Sequence, residues 1–324
     1  MYDTIKLEKS MYNLTGKSFS QALEEMDPTT SYADSPLGKL DAFERQLKRF
    51  DIHLNGPDCD RVEKFFTTTE SAVLFPEFIR RAILAGMRDS ILTELVAVKT
   101  KTTAPSYTPF SISDGNSGFS TTTDEGAKLP ATAITLASTA VSMTKFGRLI
   151  TASYEVIRQQ KLDVFAVTLR SIGMRLANAV TKQALDTLYN GTTPAGLAST
   201  STGFGYGDLA ALYGKFTDYD LTTVITTPEL LSKILAMSQM ENQRQGKQGE
   251  LLLPFGAKLV KSSQLSGNKI IGIDKRFALE QISCGDIILE TDKLIDCQLD
   301  RIAVSVSVGF RTLMGDAVKS ISWT

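Results

Sequence analysis

Apolar positions recur along this chain with clear periods, and the breaks between them mark out its elements. Leu37, Leu40, Phe43, Leu47 and Phe50 lie three or four residues apart, which predicts an amphipathic helix over 36–50. Ser35 stands where it can cap that helix, and Pro36 fits its first position. Lys39, Asp41, Glu44, Arg45 and Lys48 form the opposite, polar face. A longer stripe follows at Phe165, Leu169, Ile172, Leu176, Val180, Ala184 and Leu188. It predicts a helix over 162–189, roughly 40 Å long, stopped by Asn190-Gly191. Near the C-terminus the period changes to two. Ile302, Val304, Val306, Val308 and Phe310 alternate with Ala303, Ser305, Ser307 and Gly309 in a strand with one buried face. Leu313–Asp316 reads as its turn. Ala317–Trp323 reads as the partner strand returning beside it, with Trp323 as a packing anchor.

Between these anchors the pattern is shorter. Residues 1–34 have little periodicity and read as an extended arm with one short helix near Phe19–Met26. A charged helix is expected over 58–66, after the Asn55-Gly56-Pro57 turn. Another begins at Phe75-Pro76-Glu77 and ends near Gly86, and Leu92–Lys101 reads as a strand. Half of residues 100–123 are Ser or Thr, with Pro105, Pro109, Gly115 and Gly118 among them. A structureless loop of that length is uncommon inside a compact domain. The β-prone return over 131–144 makes the segment a long two-stranded excursion. A lone hairpin is marginal in water, so this one needs another chain to rest on. Pro194–Gly207 reads as a glycine-rich connector. Beyond it, Leu221–Thr226 is a strand, and Thr227-Pro228-Glu229 opens a helix that Gly246 closes. Strands follow near 257–262, 268–273 and 286–290.

Composition narrows the function more by what it lacks. With 35 basic and 36 acidic residues, the chain has no basic excess for holding nucleic acid by counterion release. Cys59, Cys284 and Cys297 are scattered without a CxxC spacing, which fits neither a disulfide framework nor a structural zinc site and points to a reducing cytosol. No apolar run reaches membrane-spanning length, and the charged first ten residues do not form a secretory signal. The single histidine, His53, lies in a polar turn with no nucleophile motif beside it. Glu24-Glu25 and Asp124-Glu125 are adjacent pairs and do not share a helix face. Gly16-Lys17-Ser18 lacks the earlier glycine of a phosphate loop, since Met11 stands there, and Gly203–Gly207 has GxGxG spacing with no buried strand before it. No catalytic, cofactor-binding or metal-binding residues are expected, and the chain does not read as an enzyme.

The order of elements then becomes informative: arm, Phe75-Pro76-Glu77 helix, strand, long polar hairpin, spine helix, glycine connector, α/β insert and terminal strands. This order resembles the α+β Hong Kong 97 type fold of tailed-phage major capsid proteins, over about 70–324. Asp124-Glu125-Gly126-Ala127 is similar to the return of that family's extended loop (E-loop). Lys145-Phe146-Gly147 through Ser153-Tyr154-Glu155-Val156-Ile157 resembles the strand and short helix before the spine. Asn190-Gly191 with Pro194-Ala195-Gly196-Leu197 resembles the spine's exit, and Asp316-Ala317-Val318 resembles the final strand.

The resemblance implies N-terminal arm and helices over 1–74, an E-loop over 101–145 and an axial domain over 195–298. The peripheral domain would take 75–100, the spine over 146–194, and C-terminal strands over 299–324. It also implies pentamers and hexamers closing into an icosahedral virion shell around double-stranded DNA, assembled in the bacterial cytoplasm. A portal and scaffold or decoration proteins would be partners, and DNA would be touched without sequence preference. Inter-subunit contacts are expected from Asp124, Glu125 and Lys128 on the loop. Phe43, Leu47 and Phe50 are expected to bury against the shell's inner face or another arm. Covalent crosslinking of the kind some relatives use is not expected: Lys128 offers a lysine, but no asparagine follows Asn268. The N-terminal segment is expected to be retained. The rival readings are an encapsulin shell with the same fold, a two-domain α/β enzyme, and a tail or connector protein.

Overall fold

The computed structural model describes residues 2–14, 16–88, 90–113, 122–129, 131–191, 204–240, 250–294 and 298–322. Trp323, Cys297, Gly246 and most of the glycine connector lie outside them. In order, the elements begin with α1 (Phe19–Met26), α2 (Ala42–Arg49), α3 (Thr69–Ala72), α4 (Phe75–Arg88) and α5 (Leu92–Leu95). Six strands follow: β1 (Val96–Thr102), β2 (Ser106–Tyr107), β3 (Phe110–Ser113), β4 (Ala133–Leu136), β5 (Val141–Ser142) and β6 (Thr144–Ser153). Next come α6 (Tyr154–Gln159), the spine α7 (Leu162–Asn190), α8 (Tyr206–Gly214), β7 (Thr223–Thr226) and α9 (Pro228–Leu235). The chain ends with β8 (Lys258–Lys261), β9 (Lys269–Ile273), β10 (Leu279–Cys284), β11 (Ile288–Leu294), β12 (Leu299–Thr312) and β13 (Val318–Ser322). Two compact units result. The first holds 1–90, 147–179 and 287–305; the second holds 91–146, 180–286 and 306–324. The spine helix and β12 contribute residues to both.

In the first unit the N-terminal segment is not extended. Ile5, Leu7, Met11, Phe19, Ala22 and Leu23 are buried, and Tyr12 stacks on Phe19 with ring centroids 4.4 Å apart. Gly16-Lys17-Ser18 opens α1. The Ser18 hydroxyl accepts from the Gln21 N–H, and Gln21 Oε1 accepts from the Ser18 N–H at 2.9 Å.

The helix expected over 36–50 is two pieces. Ser35 and Pro36 start a 3-10 turn that ends at Lys39, Leu40 is extended, and Asp41 caps α2. The break has two local causes. Asp41 and Glu44 form a reciprocal capping box, at 2.8 and 3.0 Å, and the Leu40 carbonyl accepts from Arg45 Nη1. Arg45, placed on the polar face by the sequence pattern, is fully buried in an ion pair with the equally buried Asp27. The charged segment near 58–66 likewise narrows to a 3-10 turn over Val62–Phe66.

Helix α4 does not stop at Gly86 but continues to Arg88. Gly86 lets it cross α7 closely. A Cβ on Gly86 would strike the Arg170 backbone, and one on Gly173 would strike the Ile83 backbone. Phe75 and Phe78 of α4 meet Phe165 of α7 at 6.2 and 6.4 Å, and both also pack on Phe65. In this unit's sheet, β11 runs antiparallel to β12 from Ile288↔Ser305 to Leu294↔Leu299. Strand β6 pairs with β12 as well, and Gly147 lies against Val304 and Ser305.

In the second unit β1 is parallel to β10, and β10 is antiparallel to β12 from Leu279↔Thr312 to Ser283↔Val308. The expected terminal hairpin is absent. Strand β13 pairs with β9, from Val318↔Ile273 to Ser322↔Lys269, in a separate sheet ordered β13-β9-β7-β8. Its Ile321 joins that sheet's apolar core, and Val318 and Ser320 are buried as well. Helix α8 and strand β10 were not read from the sequence. Leu209 and Leu212 of α8 join Leu230, Ile234, Leu259 and Ile270 in one core. Helix α9 ends at Leu235 because the chain turns there to bury Met240.

A polar corner fixes the approach to β7. The buried Asp274 carboxylate accepts from the Asp220 N–H, the Arg276 N–H and the Arg276 guanidinium, at 2.8–3.1 Å. The Arg276 hydrogen bonds hold its pKa below the ordinary 3.8, outweighing burial. A depressed folded-state pKa contributes stability above the unfolded value, and that stability is lost as pH falls through the folded pKa. Asp274→Asn is therefore expected to flatten the decline in melting temperature below about pH 4. Thermal denaturation of both proteins across that range checks it; parallel curves would refute the assignment.

Candidate assembly interface

The site is a surface, and it begins with the excursion read from the sequence. Ser106 and Tyr107 of β2 pair with Ser142 and Val141 of β5, and β3 pairs with β4 from Phe110↔Leu136 to Ser113↔Ala133. Pro105 and Pro109 mark each rung, and their carbonyls accept from the Met143 and Ala137 N–H groups at 3.1 and 2.8 Å. The root is fixed by Arg311, which donates to the Phe110 carbonyl at 2.8 Å and to Glu280 at 2.9 Å. Gly309 keeps β12 within close reach of Ser142 and Val141.

Beyond this root, large apolar side chains among the hairpin's described residues face solvent. Phe110, Leu129, Ile134 and Leu136 are 61%, 72%, 68% and 66% exposed. Four large apolar side chains on one projection are a patch that water disfavours. The return turn is closed by the Ala127 N–H donating to the Asp124 carbonyl at 3.0 Å, with Gly126 at φ +81°. Asp124, Glu125 and Lys128 are all exposed on it.

The other three expected contact residues are placed differently. Phe43 and Leu47 are buried within their own unit, and Phe50 is half-buried with the Arg49 guanidinium over its ring at 4.8 Å. The Arg81 guanidinium lies over the Phe43 ring at 4.3 Å. Phe43 and Leu47, expected against the shell's inner face or another arm, are instead covered within their own unit once the N-terminal segment folds back.

A second exposed surface lies in the first unit, and the sequence reading missed it. Val164, Val167 and Met174 of α7 are 55%, 62% and 45% exposed, as is Val156 of α6 at 58%. The three spine residues share an arc of roughly 80°. The exposed Arg175 and Arg170 flank that arc on either side. A helix stripe was read along the other face, and these residues look like filler in that register.

No three potential metal ligands cluster among the described residues, and no described helix is long and apolar enough to cross a membrane. His53 is exposed, with Nδ1 3.3 Å from Asp60.

Residues 134–284 match the family model described as phage capsid protein. The virus-like particle from Pyrococcus furiosus superposes with TM-score 0.53 at 14% identity, covering 76% of this chain and 98% of that one. The capsid of the cyanophage P-SCSP1u gives TM-score 0.51 at 15% identity, over 72% of this chain and 88% of that one. The protein has the Hong Kong 97 type fold of phage capsid proteins. The holo-SrpI encapsulin complex from Synechococcus elongatus shares this capsid fold, with TM-score 0.51 at 13% identity over 71% and 86% of the two chains. No curated protein matches in sequence.

Proposed function

We infer that this chain is the major capsid protein of a tailed double-stranded DNA phage, a structural subunit and not a catalyst. The observation that carries the reading is an anchored E-loop with four exposed apolar side chains, on a capsid fold whose residues 134–284 match a phage capsid family. Subunits assemble as pentamers and hexamers into an icosahedral shell in the host cytoplasm. A portal and scaffold or decoration proteins complete the particle, and the packaged DNA is touched non-specifically. The near-balanced charge of the chain fits a container more than a nucleic-acid binder. The spine belongs to the peripheral domain and the sheet around β7 to the axial domain. The encapsulin reading shares the fold, and the phage family match favours the capsid.

The E-loop's partner is the spine of a neighbouring copy. Its apolar residues suit Val164, Val167 and Met174, while Asp124 and Glu125 suit Arg170 and Arg175. The purified chain is expected to form closed polyhedral shells, or pentamers and hexamers, by electron microscopy and size-exclusion chromatography. Deleting 106–128 is expected to leave the subunit's circular dichroism and melting intact while abolishing stable shells. Normal shells from the deletion would refute the role given to the loop.

A further inference from the structure

The sheet of the first unit has β12 at its centre, with β6 and β11 on either side. Among the described residues neither flanking strand has a second strand partner. Both are long for open edges, ten and seven residues. Open edges of that length template pairing with another chain unless they are shortened, bulged, interrupted by proline or covered. Neither strand contains proline.

The two edges are also unlike each other in a complementary way. On β6, Arg148 is exposed beside Leu149, which is 55% exposed. On β11, Glu290 is exposed two residues from Ile288, which is 52% exposed. The exposed charges on β6 are basic, Lys145 and Arg148, and those on β11 are acidic, Glu290 and Asp292, with Lys293 following in its sequence. Pairing like with like would oppose Arg148 to Arg148 or Glu290 to Glu290, which cross-strand energetics disfavour. Pairing unlike edges satisfies both the backbone and the charges.

We propose that the β6 edge of one copy pairs with the β11 edge of a second copy, joining their sheets head to tail. The proposal rests on the reading of the chain as a shell subunit and names a contact separate from the E-loop. Such a contact is heterologous: two different patches meet, so repetition builds rings instead of stopping at a two-fold dimer. Backbone hydrogen bonds supply the affinity, as in other strand-addition interfaces, and the Arg148–Glu290 pair sets the register.

Charge reversal on the full chain tests this. Arg148→Glu and Glu290→Arg are each expected to reduce assembly, read as the protein concentration giving half-maximal shells, by about tenfold. The double reversal is expected to restore it. Both residues are exposed, and melting curves of the unassembled subunits report whether each variant folds. The milder Arg148→Gln and Glu290→Gln provide the same comparison with less perturbation and are expected to weaken the salt dependence of assembly. If only one position matters, like edges pair or another protein covers that edge, and the proposal fails. If the double reversal stays defective, it also fails. If every variant assembles as the wild-type chain does, the proposal is overturned, while the wild-type shells in the same experiment leave the capsid reading standing.

Discussion

Arg45→Ala is expected to destabilise the subunit by about 3–5 kcal/mol, the usual cost of stranding one member of a buried ion pair. Arg45 and Asp27 are both fully buried. The guanidinium donates to Asp27 Oδ2, the Asp27 carbonyl, the Leu40 carbonyl and the Thr29 hydroxyl. Tyr32 covers it, with its ring centroid 4.6 Å from the guanidinium carbon and its hydroxyl donating to Asp27 Oδ1 at 2.7 Å. Removing Arg45 leaves Asp27 Oδ2 and the Asp27 and Leu40 carbonyls without this donor in a fully buried site. Glu24 binds the same junction. Burial alone would raise its pKa, but N–H donors from Thr29 and Ala42 and the Arg45 charge hold it below the ordinary value. Denaturant unfolding of the unassembled subunit would measure the loss. Arg45→Met with Asp27→Leu should recover much of it, because an apolar pair of similar size removes the charge left uncompensated. A single variant as stable as the wild-type chain would show that the pair is not desolvated in solution.

Gly173→Ala is expected to cost about 1–3 kcal/mol from one added methyl group, as overpacking a rigid contact does. The methyl would meet the Ile83 carbonyl of α4, and backbone cannot rotate away as a side chain can. Glycine in a helix interior is ordinarily the weaker choice, so at an open site the same change would stabilise by a few tenths to about 1 kcal/mol. The sign of the effect is therefore the test. Gly86→Ala should behave alike, since its methyl meets the Arg170 backbone across the same crossing. The two together should cost less than the sum of the single changes, because the first forces the helices apart for the second. Thermal melting of the three variants decides it, and stabilisation by either alanine would refute the close crossing.

The pattern of apolar positions along the chain was enough to locate the spine, the alternating strand now called β12 and the polar two-stranded excursion. Those elements are long or strongly periodic, and their signal comes from the chain's own spacing of Leu, Ile and Val. The excursion was also recognisable as a surface in search of a partner, because so many Ser and Thr residues cannot build a core. The hairpin's exposed apolar residues were harder to see, since Phe110, Ile134 and Leu136 are scattered among polar neighbours and line up only once β3 and β4 pair. The spine's outer face was hidden by the stronger stripe opposite it.

Other features depended on partners distant in sequence. Arg45 sits where local spacing makes it a solvated residue, and only the fold brings Asp27 and the Leu40 carbonyl to it. Gly86 reads as a helix stop until α7 lies across it. Strand β13 follows β12 after a short turn, which makes a hairpin the local expectation, yet it completes the layer beside β9. Periodicity states which face of an element must leave water. Which surface receives that face is settled by packing, where shape, buried hydrogen bonds and the removal of apolar area act together across the chain.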